Sequence, residues 1–266
     1  MRVIADIAHA IAFLTRLPVP AAAFGDTRLD FARQAWAFPL AALPLAGVAS
    51  AVGWASLALF GLPSVAGILV VATLVVLTGA LHEDGLADCA DGFWGAHRAP
   101  RRMAIMRDSA IGSYGVLALA IAFSLRAVAT GALLSLFGPA AFAALLLAAV
   151  AVGRTAIVFP WVAQSPAPRE HDGAKGESLA SRFGRPDGKG ALLAGVICAT
   201  LVAPAFVATG PVTLFSATVF GGVAALLVTR IASAKIGGHT GDTLGATALL
   251  AETGFLLGAL VTTSVP

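Results

Sequence analysis

Between residues 34 and 81 the chain carries not one charged side chain. A helix that crosses a bilayer needs about 20 mostly apolar residues, so this run has the length for two. In hydrocarbon the backbone must satisfy its own hydrogen bonds, which makes helices the expected form. The break falls at Gly61-Leu62-Pro63, predicting spans at 36–60 and 65–81. The same reading gives 111–137 and 140–162, split by Gly138-Pro139, then 191–209 and 212–229, split by Gly210-Pro211, and a last span at 244–263. The expectation is an all-α polytopic membrane bundle of about seven spans, one integral membrane domain over 1–266. The recurring Gly/Pro punctuation predicts tight turns between antiparallel helices. Only 12% of residues are charged, against about 25% in ordinary soluble domains.

Where the charges fall says more than their number. Fifteen of the seventeen basic residues lie in the N-terminal segment and the three polar loops, and none lies at the Gly/Pro tips. By the positive-inside rule those loops and the N-terminus face the cytoplasm. Thirteen of fourteen carboxylates share that side, so the chemistry is expected there. Because the charges nearly cancel, the net +3 gives no basic face for nucleic acid. Cys89 and Cys198 are too few for a disulfide framework or a CxxC metal site. Asp6, His9 and Arg16 interrupt the N-terminal apolar residues, so a retained interfacial helix is expected rather than a signal peptide.

Three charges remain inside spans: Arg126, Arg154 and Glu252. Such groups face a bundle interior or a wet cavity, costing about 2.5 to 3.5 kcal/mol at a helix centre. For Arg154 and Glu252, snorkelling to the nearby membrane edge is the other reading; mid-span Arg126 calls for an internal partner.

After the second span comes LHEDGLADCADGFWG, with Asp84, Asp88 and Asp91 at offsets of four and seven. On a helix these share one face, with Glu83 about a quarter turn away. No basic residue four positions on pairs with them, and oxygen-only donors suit Mg2+, Mn2+ or Ca2+. The alternative is a solvated acidic face. Arg98, Arg101, Arg102 and Arg107 follow; arginines beside a carboxylate-bound cation suit a phosphate-bearing substrate, although a membrane-edge arginine also serves as a topology signal. The glycine-rich KIGGHTGDTLGA adds Asp242 near a helix start, with Gly237, Gly238, Gly241 and Gly245 able to bring backbone N–H groups close to a ligand and Thr240 and Thr243 able to cap. No Walker A loop is present; GRPDGKG has the wrong spacing.

Together with FLTRLPVP and IMRDSAIGSYGVLAL, these strings closely resemble the cobalamin synthase family, whose members are adenosylcobinamide-GDP ribazoletransferases. The resemblance runs from about 13 to 252 and includes Gly153-Arg154. Glu83, Cys89, Ala110 and Leu249 depart from the family pattern, and the loop from 169 to 189 matches weakly, while Asp84, Asp88, Asp91, Asp108 and Asp242 are all retained. The resemblance implies a Mg2+-dependent late step of vitamin B12 assembly in the bacterial inner membrane. The 3'-hydroxyl of alpha-ribazole, or of its 5'-phosphate, attacks the phosphate on the aminopropanol arm of adenosylcobinamide-GDP, and GMP leaves. Asp84, Asp88, Asp91 and Asp242 are then expected to hold metal, with Asp91 and Asp108 as catalytic candidates. His82, Arg107, Arg154, His239, Thr240 and Glu252 are expected to contact substrate. Other enzymes of the pathway, or a second copy, are the partners left open. The chain is also similar to CDP-alcohol phosphotransferases in the opening Asp84-Gly85-Leu86-Ala87-Asp88, but not in the rest of their motif. A secondary transporter is the other rival, though its acidic residues should lie near the midplane.

Overall fold

The computed structural model describes residues 2–27, 29–168 and 184–261. Arg28, the charged residues of 169–183 and the end of the expected last span lie outside these. Among the described residues the chain is helical: α1 Arg2–Leu14, α2 Phe31–Gln34 running through a 3-10 stretch (Ala35–Ala41) into α3 Ala42–Phe60, α4 Pro63–Thr78, α5 Leu81–Gly95, α6 Ala99–Ile105, α7 Ser113–Leu136, α8 Pro139–Ala163, α9 Gly188–Thr209, α10 Pro211–Ile236 and α11 Gly241–Val261. Helix α1 forms where the interfacial helix was expected and packs against the 3-10 stretch, with Asp6 paired to Arg33 at 2.8 Å.

Six helical segments are long and apolar enough to cross a membrane, and the broken pair α4–α5 raises the count to as many as seven. The expected straight span at 65–81 is therefore corrected. Helix α4 has 16 residues, about 24 Å at 1.5 Å per residue, short of a hydrocarbon core of about 30 Å. The chain then turns through 92° at Gly79 and Ala80, both in the left-handed region (φ 64° and 57°). An alanine there costs about 1–2 kcal/mol. The turn is held by Arg16, whose N–H donates to the Leu77 carbonyl at 2.6 Å and whose side chain occupies the space a Cβ on Gly79 would need. A cation at the C-terminal end of α4 also suits the helix dipole. Helix α5, with four carboxylates in 15 residues, is not itself a span.

The Gly/Pro breaks fall where expected, with Pro63, Pro139 and Pro211 opening α4, α8 and α10, where proline's fixed φ suits a first turn. Only the first of these breaks joins two closely packed helices. Helix α7 packs chiefly on α4 and α5, α8 on α9, α11 and α3, and α10 on α11. Small residues explain the choice of neighbours, because helix association in lipid depends on close approach rather than on apolarity. Gly254 and Gly258 form a GxxxG pair on α11; an added Cβ would lie 2.7 Å from the Phe220 carbonyl and 2.6 Å from that of Ser216. Helices α8 and α11 are the most enclosed, 67% buried against 22% for α9. Leu45, Leu133, Phe142, Leu145 and Phe255 fill the centre between them and α3 and α7.

Candidate active site

The acidic helix and the central helix meet through an absent side chain. A Cβ on Gly85 would lie 2.6 Å from the Asp242 carbonyl oxygen, so only glycine lets the start of α11 sit against α5 beside Asp84. That start is locked by reciprocal bonds: the Thr240 N–H donates to Thr243 Oγ1 at 2.8 Å, and the Thr243 N–H to Thr240 Oγ1 at 3.2 Å, satisfying helix-end donors as a capping box does. Just before it, the His239 N–H donates to the Ser165 carbonyl (3.1 Å) and the Ala167 N–H to the His239 carbonyl (2.9 Å). Gly238 packs against the Ser165 carbonyl, and Gly245 against Leu81 and His82. The loop glycines expected to approach a ligand are thus used at these two positions for close contact with the protein's own backbone.

A cavity of about 320 Å³ opens at this junction. His82 and Asp84 of α5, Arg107, and His239, Thr240 and Asp242 line its polar side. Six residues singled out from three separate strings are brought together. Asp88, Asp91, Asp108, Arg154 and Glu252 are not on its wall.

The carboxylates of the stripe differ in their surroundings. Asp84 is exposed and Asp88 half-buried; burial first, then the charges of Asp242, Asp84 and Asp91, push the Asp88 carboxyl up to about 7. Asp91 is buried and accepts from the N–H groups of Gly112 (2.7 Å) and Gly115 (2.9 Å), anchoring the first turn of α7, where a negative charge is favoured. Side chains on either glycine would collide with that carboxylate. Asp108 is exposed and accepts from the Ala110 N–H at 3.1 Å. Among the described residues, no three His, Cys, Asp or Glu side chains are gathered as a ready-made metal cluster. The residues fit Mg2+ nonetheless, since that ion commonly uses one or two carboxylates and completes its shell with water and substrate phosphate. Repulsion among Asp84, Asp88 and Asp242 is what a cation would relieve.

The in-span charges find one another. Glu252, fully buried, accepts from Arg126 at 2.6 Å and from Arg154, while Arg126 also reaches Glu83 at 2.8 Å. This network ties α5, α7, α8 and α11 together. Arg154 and Glu252, expected to contact substrate, are paired with each other inside the bundle and do not snorkel. The partner that mid-span Arg126 required includes Glu83, whose quarter-turn offset from the aspartates aims it at α7 instead of the cavity.

The rest of the cavity lining is apolar and includes Phe13 and Leu14 of α1, Phe38 of the 3-10 stretch, and Ile157 and Trp161 of α8. Of these only Phe13 and Leu14, within FLTRLPVP, lay in a string singled out from sequence; the others come from helices whose apolar content signals membrane and nothing more. His239 is buried, its ring beside the carbonyls of Ser165 and Gln164, and among the described residues His82 Nε2 has no hydrogen-bond partner. Burial, opposed by the carbonyls of Ser165 and Gln164, lowers His239 below the usual histidine range. Cys89 and Cys198 are free and buried.

The chain matches the family model described as cobalamin-5-phosphate synthase over residues 6–260. A relative from Azorhizobium caulinodans is 42% identical over 266 residues, covering 98% of this chain and 97% of its own, and one from Sinorhizobium medicae is 41% identical over 264 residues, covering 96% and 95%. Both are described as adenosylcobinamide-GDP ribazoletransferase. No solved structure matches. With the match running across nearly the whole bundle, from α1 to the end of α11, the chain belongs to the cobalamin-5-phosphate synthase family of transferases.

Proposed function

We propose that this chain transfers adenosylcobinamide phosphate from adenosylcobinamide-GDP to ribazole, or to its 5'-phosphate, late in cobalamin assembly. The ribazole hydroxyl oxygen forms the new bond to phosphorus, the bond to GMP breaks, and the hydroxyl proton goes to a carboxylate. The observation that carries this is the convergence of His82, Asp84, Arg107, His239, Thr240 and Asp242 on one cavity. Asp84, Asp88 and Asp242 would hold Mg2+, which when bound supplies charge neutralisation for the diphosphate. Arg107, exposed at the cavity, clamps phosphate oxygens through its planar fork. A cleft that pairs an apolar wall with a few converging polar groups orients a small ligand and limits its access to water. Arg126, Arg154 and Glu252 act from beneath as structure. The feature shared with a transporter, charge inside spans, is accounted for by their mutual pairing.

In this reading the polar loops and the cavity face the cytoplasm from the bacterial inner membrane, as the basic-residue distribution favours. The test is GMP release by purified protein given adenosylcobinamide-GDP, ribazole and Mg2+, with Asp84→Asn in parallel. Release by the wild type and its loss in a folded Asp84→Asn protein are expected. No release from the wild type overturns the reaction, and near-normal turnover by Asp84→Asn overturns the metal assignment.

A further inference from the structure

We propose that a second, apolar crevice between α7 and α10 holds an acyl chain of an anionic phospholipid, with the lipid phosphate seated on Lys235. The proposal is independent of the transfer reaction and of the cavity that serves it.

Helices α7 and α10 both flank α11 without packing closely on each other, and the gap between them is a crevice of about 270 Å³. Its rim is open along α7, where Ile121 is 60% and Leu125 42% exposed. Both residues lie inside an apolar segment long enough to cross a membrane, so the opening meets lipid rather than water. The floor includes Phe93 of α5 with Leu250 and Thr253 of α11. The Thr253 hydroxyl donates to the Leu249 carbonyl at 2.7 Å, so the depth of the crevice asks for no polar partner and suits a hydrocarbon chain. Leu86, Ala90 and Phe93 lie on the side of α5 away from Asp84. The aspartate stripe therefore faces elsewhere and does not repel an anion here.

Charge selects the headgroup. Val228 and Ile231 line the crevice, and Lys235 continues their stripe on α10 at the spacing of one helix face. The apolar wall thus ends in a cation on the side of the polar loops. The Lys235 ammonium lies 5.4 Å over the ring of Trp94, which is 54% exposed at the rim. It donates to the Phe93 carbonyl at 3.2 Å, and among the described residues no carboxylate pairs with it. An ammonium has three donors, so the others are open to phosphate oxygens. Arg102 donates to the Lys235 carbonyl at 2.7 Å and to the Ala96 carbonyl at 2.9 Å, which ties α6 to this end and brings exposed Arg101 with it. Tryptophan settles at headgroup level, and basic pockets between spans take anionic headgroups. An apolar groove that ends in Trp94 and Lys235 matches both halves of such a lipid. A second copy of the chain would have to bring a carboxylate to Lys235 to match it as well.

Native mass spectrometry of the purified protein in detergent, titrated with phosphatidylglycerol or with phosphatidylcholine of the same acyl chains, tests this. One phosphatidylglycerol should be retained per chain, about fivefold more tightly than phosphatidylcholine, the share of a single basic residue near a bilayer surface. Lys235→Gln should remove that preference while phosphatidylcholine binds as before. Ile121→Trp, a change at an exposed rim position that fills the crevice from its open side, should lose retention of both lipids. Circular dichroism checks that each variant keeps its helix content, and Lys235→Gln carries the test alone should Ile121→Trp fail to fold. Equal retention of the two lipids by wild-type protein overturns the proposal, as does phosphatidylglycerol held unchanged by folded Lys235→Gln. Wild-type dimers that Ile121→Trp dissolves, with no lipid retained, would place a second copy in the crevice and overturn it too.

Discussion

Replacing Glu252 by Gln removes the one carboxylate shared by two arginines. Glu252 is 0% exposed, Arg154 2% and Arg126 3%, and the cluster Glu83, Arg126, Arg154, Glu252 is neutral as it stands. The substitution leaves it at +1, with Arg126 retaining Glu83 and Arg154 losing the carboxylate it meets. A guanidinium does not escape by losing its proton. Breaking a buried ion pair from one side costs about 3–5 kcal/mol, a large share of the roughly 5–15 kcal/mol that holds a typical domain together. Glu83→Gln should cost less, about 1.5–3 kcal/mol for a hydrogen bond to a charged group, because the Glu83 side chain keeps 15% exposure and Arg126 keeps Glu252. The double variant Arg154→Met/Glu252→Gln should be more stable than Glu252→Gln alone, since removing a buried pair together is often near neutral. Unfolding in mixed detergent micelles, followed by far-ultraviolet circular dichroism, measures all three. A Glu252→Gln protein within about 1 kcal/mol of wild type, with no recovery in the double variant, would refute the idea that these charges form one network.

Three further outcomes follow from the site. Gly85→Ala, whose Cβ would lie 2.6 Å from the Asp242 carbonyl, should separate α5 from α11 and cut GMP release at least about tenfold at unchanged helix content, as small displacements of reacting groups do. Asp91→Ala should destabilise the protein by about 2 kcal/mol, the upper range for a lost helix cap, while its Mg2+ dependence stays near that of wild type; a large shift in that dependence would return Asp91 to the metal set. The Asp88 carboxyl rises from 3.8 unfolded to about 7 folded, so its stabilising share is fully present below pH 4 and is lost as pH climbs through about 7. Metal-free protein should therefore lose thermal stability over that window, added Mg2+ should offset the loss, and the apparent Mg2+ affinity should rise with pH. Melting curves that ignore Mg2+ throughout would count against a cation at Asp88.

Helix placement was legible from residue order because hydropathy is a local sum: the uncharged run from 34 to 81 and the breaks at Pro63, Pro139 and Pro211 needed no partner to be read. The polar half of the cavity was legible for a related reason, since Asp84, Asp242, His239 and Arg107 are costly near a membrane unless they do something. What stayed hidden depends on which helices touch. The 92° turn at Gly79 and Ala80 looked like the end of a straight span, because the contact that holds it comes from Arg16, more than sixty residues earlier. Asp91 reads as one more carboxylate of a stripe, and nothing in residue order shows that α7 places two amide groups on it. Arg126 needed a partner, and only packing named Glu83 and Glu252. Phe13, Phe38 and Trp161 are indistinguishable from lipid-facing residues in order of sequence. Apolarity places a side chain in the membrane or the core without saying which, and it took the packing of α1 and α8 on the 3-10 stretch to bring three such rings together beside the cavity.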